Sequence, residues 1–323
     1  MRCIHRPLAL ALLTTALASG PGLAAVTAED IDTAGYDGGA LPDGQSGLTA
    51  KVQVLLDRAG ISPGIVDGYK GGMSESAIRA FEAREGFEVD GAMDEEVWKA
   101  LGGPDAGAIT TTYEITEEDA DVRGEALPED YAELAELDRM GYVTVEEAVA
   151  ERFHMDVDFL KALNPDASFE AGGTVTVIDP GEDASGAVAS ITIDKGSRRL
   201  VAKDADGNTL TNYPVAVGSA ETPSPSGTVE VKAVAMEPTY SYRPSENFQQ
   251  GDNDEPLTLP PGPNGPVGLV WIDLSKPTYG IHGTPDPAEL FQESSHGCVR
   301  MSNWDATELA RMVETGATVE FVE

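Results

Sequence analysis

The hydrophobic residues of this chain change period partway along it, and no single layer of secondary structure satisfies both halves. Val52, Leu55, Leu56 and Ala59 recur at helical spacing, as do Ala77, Ile78 and Phe81, and then Val97, Trp98 and Leu101. From Ala189 the period becomes two, with Ile191 and Ile193, then Val229, Val231 and Ala233, alternating with polar neighbours. The spacing predicts a helix from Thr49 to Gly60, a second with Ser74 as N-cap, and a third from Asp94 to the Gly102-Gly103 stop. Gly196-Ser197 and Asp206-Gly207-Asn208 mark turns between strands, the latter a strong hairpin signal. Residues 237–266 are rich in Pro, Gly and Asn, and a loop of that length inside a domain reads as a lid or substrate loop.

A length of 323 residues suits two or three domains. The predicted fold is multidomain: a small all-α three-helix N-terminal module, a short α/β middle segment and a mostly-β C-terminal domain. The expected boundaries are a signal peptide over 1–28, a flexible linker over 29–45, the helical module over 46–103, an acidic solvated linker over 104–141, the middle segment over 142–180 and the β domain over 188–323. Within the middle segment, Val145–Phe153 and Val157–Leu163 read as helices and Thr174–Ile178 as a strand. His154 reads as a packed or capping histidine rather than a ligand.

The signal peptide rests on Arg2 and Arg6 before an apolar run from Leu8 to Ala18, with cleavage sites ending at Ala24 or Ala28. That run is too short to span a ~30 Å hydrocarbon core as a helix. The 56 acidic residues against 21 basic ones leave a net charge of -35, which disfavours nucleic acid and anionic lipid surfaces as partners. Removal of the leader takes Cys3 with it and leaves Cys298 as the one cysteine of an exported chain, either an inert buried residue or a thiol kept for chemistry.

The neighbours of Cys298 favour chemistry. His282 and His296 both lie close to it in sequence, and if Ser295–Met301 is extended, His296, Cys298 and Arg300 share one face while Val299 and Met301 point to the other. A thiol of ordinary pKa ~8.5 needs a base or a positive neighbour to become the nucleophilic thiolate, and His282 and Arg300 supply these. A zinc site from His282, His296 and Cys298 competes, although no fourth ligand is assigned and Arg300 would repel the cation. After Cys298, Ser302-Asn303-Trp304-Asp305 fits a capping box for a helix ended by Gly316, with a final strand at Thr318–Val322.

Three resemblances add to this reading. V-Q-V-L-L-D-R-A-G, V-D-G, A-I-R-A-F-E and D-G-A-M-D-E-E-V-W-K-A-L, between Val52 and Leu101, resemble the peptidoglycan-binding module found beside wall hydrolases, with Glu82 where that family usually has Gln. F-H-M-D-V-D-F-L-K-A-L-N-P-D followed by A-G-G-T-V-T-V resembles the C-terminal part of a LysM glycan-binding repeat; the usual N-terminal strand and G-D-T turn have no counterpart in it. I-H-G-T at Ile281–Thr284 and S-S-H-G-C-V-R-M at Ser294–Met301, with Y-P-V-A-V-G and T-P-S-P-S-G upstream, resemble the signature of the L,D-transpeptidases of YkuD type.

The last resemblance implies a cysteine acyltransferase that attacks the third residue of a peptidoglycan tetrapeptide stem, releases D-Ala and passes the acyl group to an amine. It implies Cys298 as nucleophile and His282 as base, oriented by a main-chain carbonyl near Gly283. His296, Gly297, Arg300, Gly283 and Ser295 are expected to support the oxyanion or the substrate, with main-chain N–H groups around Gly297 and Cys298 as oxyanion donors. Implied partners are peptidoglycan stem peptides and glycan, with an outer-membrane protein as a further acyl acceptor. No nucleic acid, metal, organic cofactor or membrane span after signal cleavage is expected, and the location is the periplasm. The same residues with water as acceptor would make an L,D-carboxypeptidase or endopeptidase, and a chain without catalysis would be a wall-binding or tethering protein.

Overall fold

The computed structural model describes residues 26–245, 248–291, 295 and 297–323; residues 1–25 of the expected signal peptide and His296 lie outside them. A short helix α1 (Ala28–Asp32) opens the described chain from a capping box at Thr27, and Ile31 is fully buried. Helices α2 (Gly47–Arg58), α3 (Gly72–Glu85) and α4 (Glu95–Ala100) follow. The flexible linker expected over 29–45 is corrected. The Asp32 carboxylate accepts from the N–H groups of Ile109 and Thr110 at 2.7 and 2.9 Å, and the buried Lys51 Nζ donates to the carbonyls of Asp32 and Ala34 at 2.9 and 3.0 Å. These partners are remote in sequence, so local composition could not reveal them.

The second helix also starts earlier than expected, with Gly71 at its N-cap. Ser74 lies inside the first turn, buried, and accepts from Gln53 Nε2 at 3.0 Å. Glu82 is buried as well: its Oε2 accepts from Asp90 and Gly91 N–H at 3.0 and 2.8 Å, closing the loop ahead of α4.

The acidic stretch 104–141 is corrected from solvated linker to structure. Strand β1 (Thr110–Glu114) precedes helices α5 (Tyr131–Leu134), α6 (Val145–Arg152) and α7 (Val157–Leu163) and pairs antiparallel with strand β2 (Thr174–Ile178), Thr110 opposite Ile178. Strand β2 of the middle segment therefore has a partner strand, β1, that lies upstream of the expected bounds 142–180. Asp119 is buried rather than solvated, accepting from the Tyr113 and Thr116 hydroxyls and pairing with Arg152 at 2.8 Å. Ile109, Ile115, Phe159, Leu160, Val175 and Val177 join Val52, Leu56, Ile78 and Phe81 in one core, so the helical module and the middle segment pack as one body.

The C-terminal part is a sheet of eight strands. Strands β3 (Val188–Asp194), β4 (Arg199–Lys203), β5 (Thr209–Pro214) and β6 (Gly227–Met236) are followed by a two-stranded ribbon, β7 (Tyr240–Tyr242) with β8 (Leu257–Leu259), then by β9 (Val270–Leu274), β10 (Gly280–His282), β11 (Val299–Arg300), helix α8 (Asn303–Met312) and β12 (Val313–Val322). The order in the large sheet is β11-β10-β9-β6-β12-β3-β4-β5, antiparallel except for β10 with β11 and β12 with β3. Ile191, Ile193, Val231, Ile272, Ile281 and Val319 share a core with Ala306 and Leu309 of α8. Gly316 does not stop the helix: α8 passes at Met312 directly into β12, and Gly316, at φ +95°, sits in the register irregularity between Val313 and Thr318.

The two bodies meet at the free edge of β5. Ile61 pairs alongside Asn212, Ser62 N–H donates to the Asn212 carbonyl at 2.9 Å, and the buried Arg199 guanidinium bonds both Ser62 and Asn212. Ser62 Oγ donates to Asp305 of α8 at 3.0 Å. No helix of the described residues is long and apolar enough to cross a membrane.

Candidate active site

Strands β9, β10 and β11 set the site. Register places His282 beside Trp271 on one side and Arg300 on the other, so the three residues leave the sheet on one face, while Ile281 and Val299 point into the core. That face opens into a cavity of roughly 550 Å³ lined by His282, Cys298, Arg300, Ser295, Trp271 and Tyr279, among others.

His282 is buried and stacked on Trp271, centroids 5.6 Å apart at 20°. Its Nδ1 lies 2.7 Å from the Gly283 carbonyl oxygen. A carbonyl can only accept, so Nδ1 carries the hydrogen and Nε2 holds the lone pair. Burial, and next the Arg300 charge, pull His282 down to about 4, against the opposing effect of the Gly283 bond. The ring is therefore neutral and able to take a proton throughout the neutral range. Cys298 is half-buried, and its Sγ donates to the Thr278 carbonyl at 3.7 Å. Burial pushes its thiol above the ordinary value, outweighing the Gly280 N–H and Arg300. The thiolate expected from the sequence is thus not the resting form, because desolvation exceeds the help of one guanidinium.

The expected extended run over Ser295–Met301 is also corrected. Gly297 takes φ +118°, breaking the run, and only Val299 and Arg300 are strand. A side chain at Gly297 would meet the Tyr279 ring at 2.8 Å. Gly297 N–H donates to Ser295 Oγ at 3.0 Å, and Ser295 Oγ donates in turn to the Cys298 carbonyl. Gly297 is therefore not a free oxyanion donor, and Ser295 is a latch across the turn that carries Cys298. From Cys298 on, alternation holds: Cys298 and Arg300 line the cavity while Val299 and Met301 are buried. Arg300 Nε is buried with no hydrogen-bond partner among the described residues, leaving the guanidinium suited to an anionic group. His296, expected at this site, lies outside the described residues.

Three residues here escaped sequence reasoning. Thr278 holds φ +71°, a costly conformation for a β-branched residue, and so aims its carbonyl at Cys298. Asn303, the first residue of α8, accepts from Leu269 N–H at 3.0 Å and packs so closely under Gly283 that a Cβ there would lie 2.2 Å from Asn303 Oδ1. Its amide donates to Glu151 of α6 at 3.0 Å and to the Pro263 carbonyl at 3.0 Å. Tyr131, from the N-terminal body, lines the cavity. The helix-start pattern S-N-W-D marked Asn303 as a helix residue without marking its contacts, and nothing in the sequence marked the other two.

Comparison with known proteins follows the same division of the chain. Residues 189–321 match the family described as the L,D-transpeptidase catalytic domain, and residues 34–101 match a peptidoglycan binding domain. A Bacillus subtilis protein named L,D-transpeptidase YkuD is 31% identical over 175 residues, covering 53% of this chain and 90% of that protein. An Escherichia coli protein named L,D-transpeptidase YbiS is 28% identical over 183 residues, 55% of this chain and 60% of that one. A solved Enterococcus faecium L,D-transpeptidase is similar at 22% identity with a TM-score of 0.32, over 45% of this chain and 53% of that chain.

Proposed function

The chain belongs to the L,D-transpeptidase family, and from that premise we propose that it is an exported cell-wall enzyme that acylates Cys298 with the third residue of a peptidoglycan tetrapeptide stem and transfers the acyl group to an amine. The observation that carries this reading is the fixed tautomer of His282: its Nδ1 is engaged by the Gly283 carbonyl, so Nε2 is the base in a cavity shared with Cys298 and Arg300.

As Cys298 Sγ bonds to the carbonyl carbon, its proton passes to His282 Nε2, so a neutral thiol and a neutral imidazole suffice and no resting ion pair is needed. The Cys298 N–H is assigned to the developing oxyanion, since the Gly297 N–H already has a partner. Collapse of the tetrahedral intermediate breaks the C–N bond, and His282 returns the proton to the departing D-Ala amine. The acceptor amine then attacks the thioester, His282 takes its proton, and the sulfur leaves to regain a proton. Arg300 holds a substrate carboxylate. The acceptor is an amine of a second stem peptide or of an outer-membrane protein.

The peptidoglycan-binding domain holds the chain on its substrate. The middle unit, with β1 and β2 flanking α6 and α7, is assigned as a LysM-like glycan contact; the upstream strand β1 supports this. Residues up to Ala24 are assigned as the signal for export to the periplasm, because cleavage after Ala28 would remove the Thr27 cap and cut into α1.

The test is intact-protein and product mass spectrometry after mixing the mature protein, or its Cys298→Ala form, with purified disaccharide-tetrapeptide. The expected result is an acyl adduct on the wild type alone, release of D-Ala and dimers linked between third residues. Tripeptide without dimers, with an amine acceptor supplied, would replace transfer by hydrolysis. Folded protein with neither adduct nor turnover would sink the enzyme reading.

A further inference from the structure

The loop expected to act as a lid is not a free loop. Residues 127–141, inserted between β1 and α6 of the N-terminal body, are laced to residues 237–264 along their length. Tyr131 N–H donates to Gln250 Oε1 at 3.1 Å, and Gln250 Nε2 donates to the Glu129 carbonyl at 2.9 Å. Asn253 Nδ2 donates to Asp130 at 3.1 Å, and Arg139 makes a bidentate pair with Glu237 at 2.6 and 3.1 Å. Met140 N–H donates to the Pro261 carbonyl at 2.9 Å, and its own carbonyl accepts from Asn264 at 3.1 Å. The backbones touch at Gly262, φ +150°, where a Cβ would lie 2.1 Å from the Met140 carbonyl oxygen. Leu134, Met140, Tyr242 and Leu259 form a core of their own between the two segments.

This lacing puts one side chain from the N-terminal body into the cavity. The Tyr131 ring stands edge-on to Tyr240, Tyr242 and Phe248 at 6.2, 5.2 and 6.1 Å. Tyr131, Tyr240 and Phe248 line the same cavity as Cys298, and the Tyr240 hydroxyl is near enough to Cys298 for a thiolate to disfavour its ionisation. An aromatic wall in T-shaped contact is rigid and offers broad contact area with little entropy left to lose on binding.

We propose that Tyr131 is a positioning residue for the stem peptide, presented to the Cys298 cavity by the inserted segment 127–141, so that the N-terminal body forms part of the catalytic site as well as anchoring it. This rests on the transpeptidase reading above. It assigns the wall formed by Tyr131, Tyr240 and Phe248 to contact with the bound peptide, and the reacting groups to the sheet strands.

The test uses the full mature chain as wild type, Tyr131→Ala, Tyr131→Phe and Tyr131→Leu, with two readouts. One is steady-state transfer on purified disaccharide-tetrapeptide, and the other is the rate of Cys298 alkylation by iodoacetamide, a reagent too small to need the wall. The expected result for Tyr131→Ala is a KM raised about tenfold with kcat and alkylation rate close to wild type, and recovery in Tyr131→Phe. Should Tyr131→Ala fail to fold, Tyr131→Leu, which keeps apolar packing but lacks the ring, takes its place with the same expectation. An unchanged KM overturns the proposal, as does a loss of kcat and alkylation together, which would mark Tyr131 as structural only. A wild type that is alkylated but never acylated by the tetrapeptide overturns the transpeptidase reading itself, and this proposal with it.

Discussion

His282 and His154 are built alike, yet their pKa values are pushed in opposite directions. Each ring is engaged through Nδ1 at 2.7 Å and stacked on a tryptophan, Trp271 for the buried His282 and Trp304 for the half-buried His154. His282 meets a carbonyl and faces Arg300, so burial prevails and the ring is neutral. Burial would lower His154 too, but the Asp57 carboxylate, with Asp305 and Glu308 beyond it, holds it above the ordinary 6.5. The difference teaches that the partner's charge sets the role. A neutral partner leaves a base, whereas an anionic one makes a clamp that joins α2, the middle segment and α8.

Exchanging each histidine for glutamine is the strongest way to break that comparison. His282→Gln is expected to lower kcat/KM on disaccharide-tetrapeptide by about 10²- to 10⁴-fold with little change in melting temperature. His154→Gln is expected to leave kcat/KM near wild type and cost about 1–2 kcal/mol in urea denaturation, because the half-buried Asp57 carboxylate loses its charge-assisted hydrogen bond. The reverse pattern would mean that the roles are misassigned.

The charge states are tested next by pH. Because the Cys298 thiol is raised above 9.0, alkylation by iodoacetamide should climb steeply only above pH 9, with no plateau between pH 5 and 7. Such a plateau would reveal a resting thiolate–imidazolium pair and contradict a neutral His282.

The clamp makes the opposite demand on stability. His154 is raised in the folded state, so its contribution is complete below the unfolded value of 6.5 and is lost as pH rises through the folded value. Burial raises Asp305 and Glu151 to about 7 each, and acids that bind protons more tightly when folded also lose stability as pH climbs from their ordinary values of 3.8 and 4.5 towards 7. Melting temperature is therefore expected to fall between pH 5 and 8, on the order of 5 °C. Asp305→Asn should flatten part of that slope, and a melting temperature that rises over the same interval would refute the arrangement. The smallest effect concerns the entry to the clamp's body: the exported chain should begin at Ala25, read by N-terminal sequencing, and a start after Ala28 would show that the Thr27 cap is dispensable.

Much of the sheet was legible because its information is local. Alternation at Ile191 and Ile193 and the turn at Asp206-Gly207-Asn208 specify strands from neighbours a few positions away. Ser302 caps α8 as its pattern predicts, accepting from Asp305 N–H at 3.1 Å. The other half of that capping box was not legible, since the Asp305 carboxylate turns to Ser62 of the helical module. The acidic segment 104–141 failed for a related reason: its charges looked solvated, yet Asp119 is buried, held by its near neighbours Tyr113 and Thr116 and by Arg152, 33 residues away on α6.

By itself the sequence determined many of the pieces: the helices α2 to α4 and α6 to α8, most strands of the large sheet, and a set of side chains, Cys298, His282 and Arg300, with the chemistry to act together. Those choices follow from backbone period, capping and residue chemistry, all of which act over short distances along the chain. The tertiary structure alone decided that burial raises the Cys298 thiol, that His282 is pulled down in pKa while His154 is held up, and that Tyr131 reaches the Cys298 cavity. Desolvation and Coulomb interaction depend on what surrounds a group in space, and that surrounding exists only once remote segments have packed.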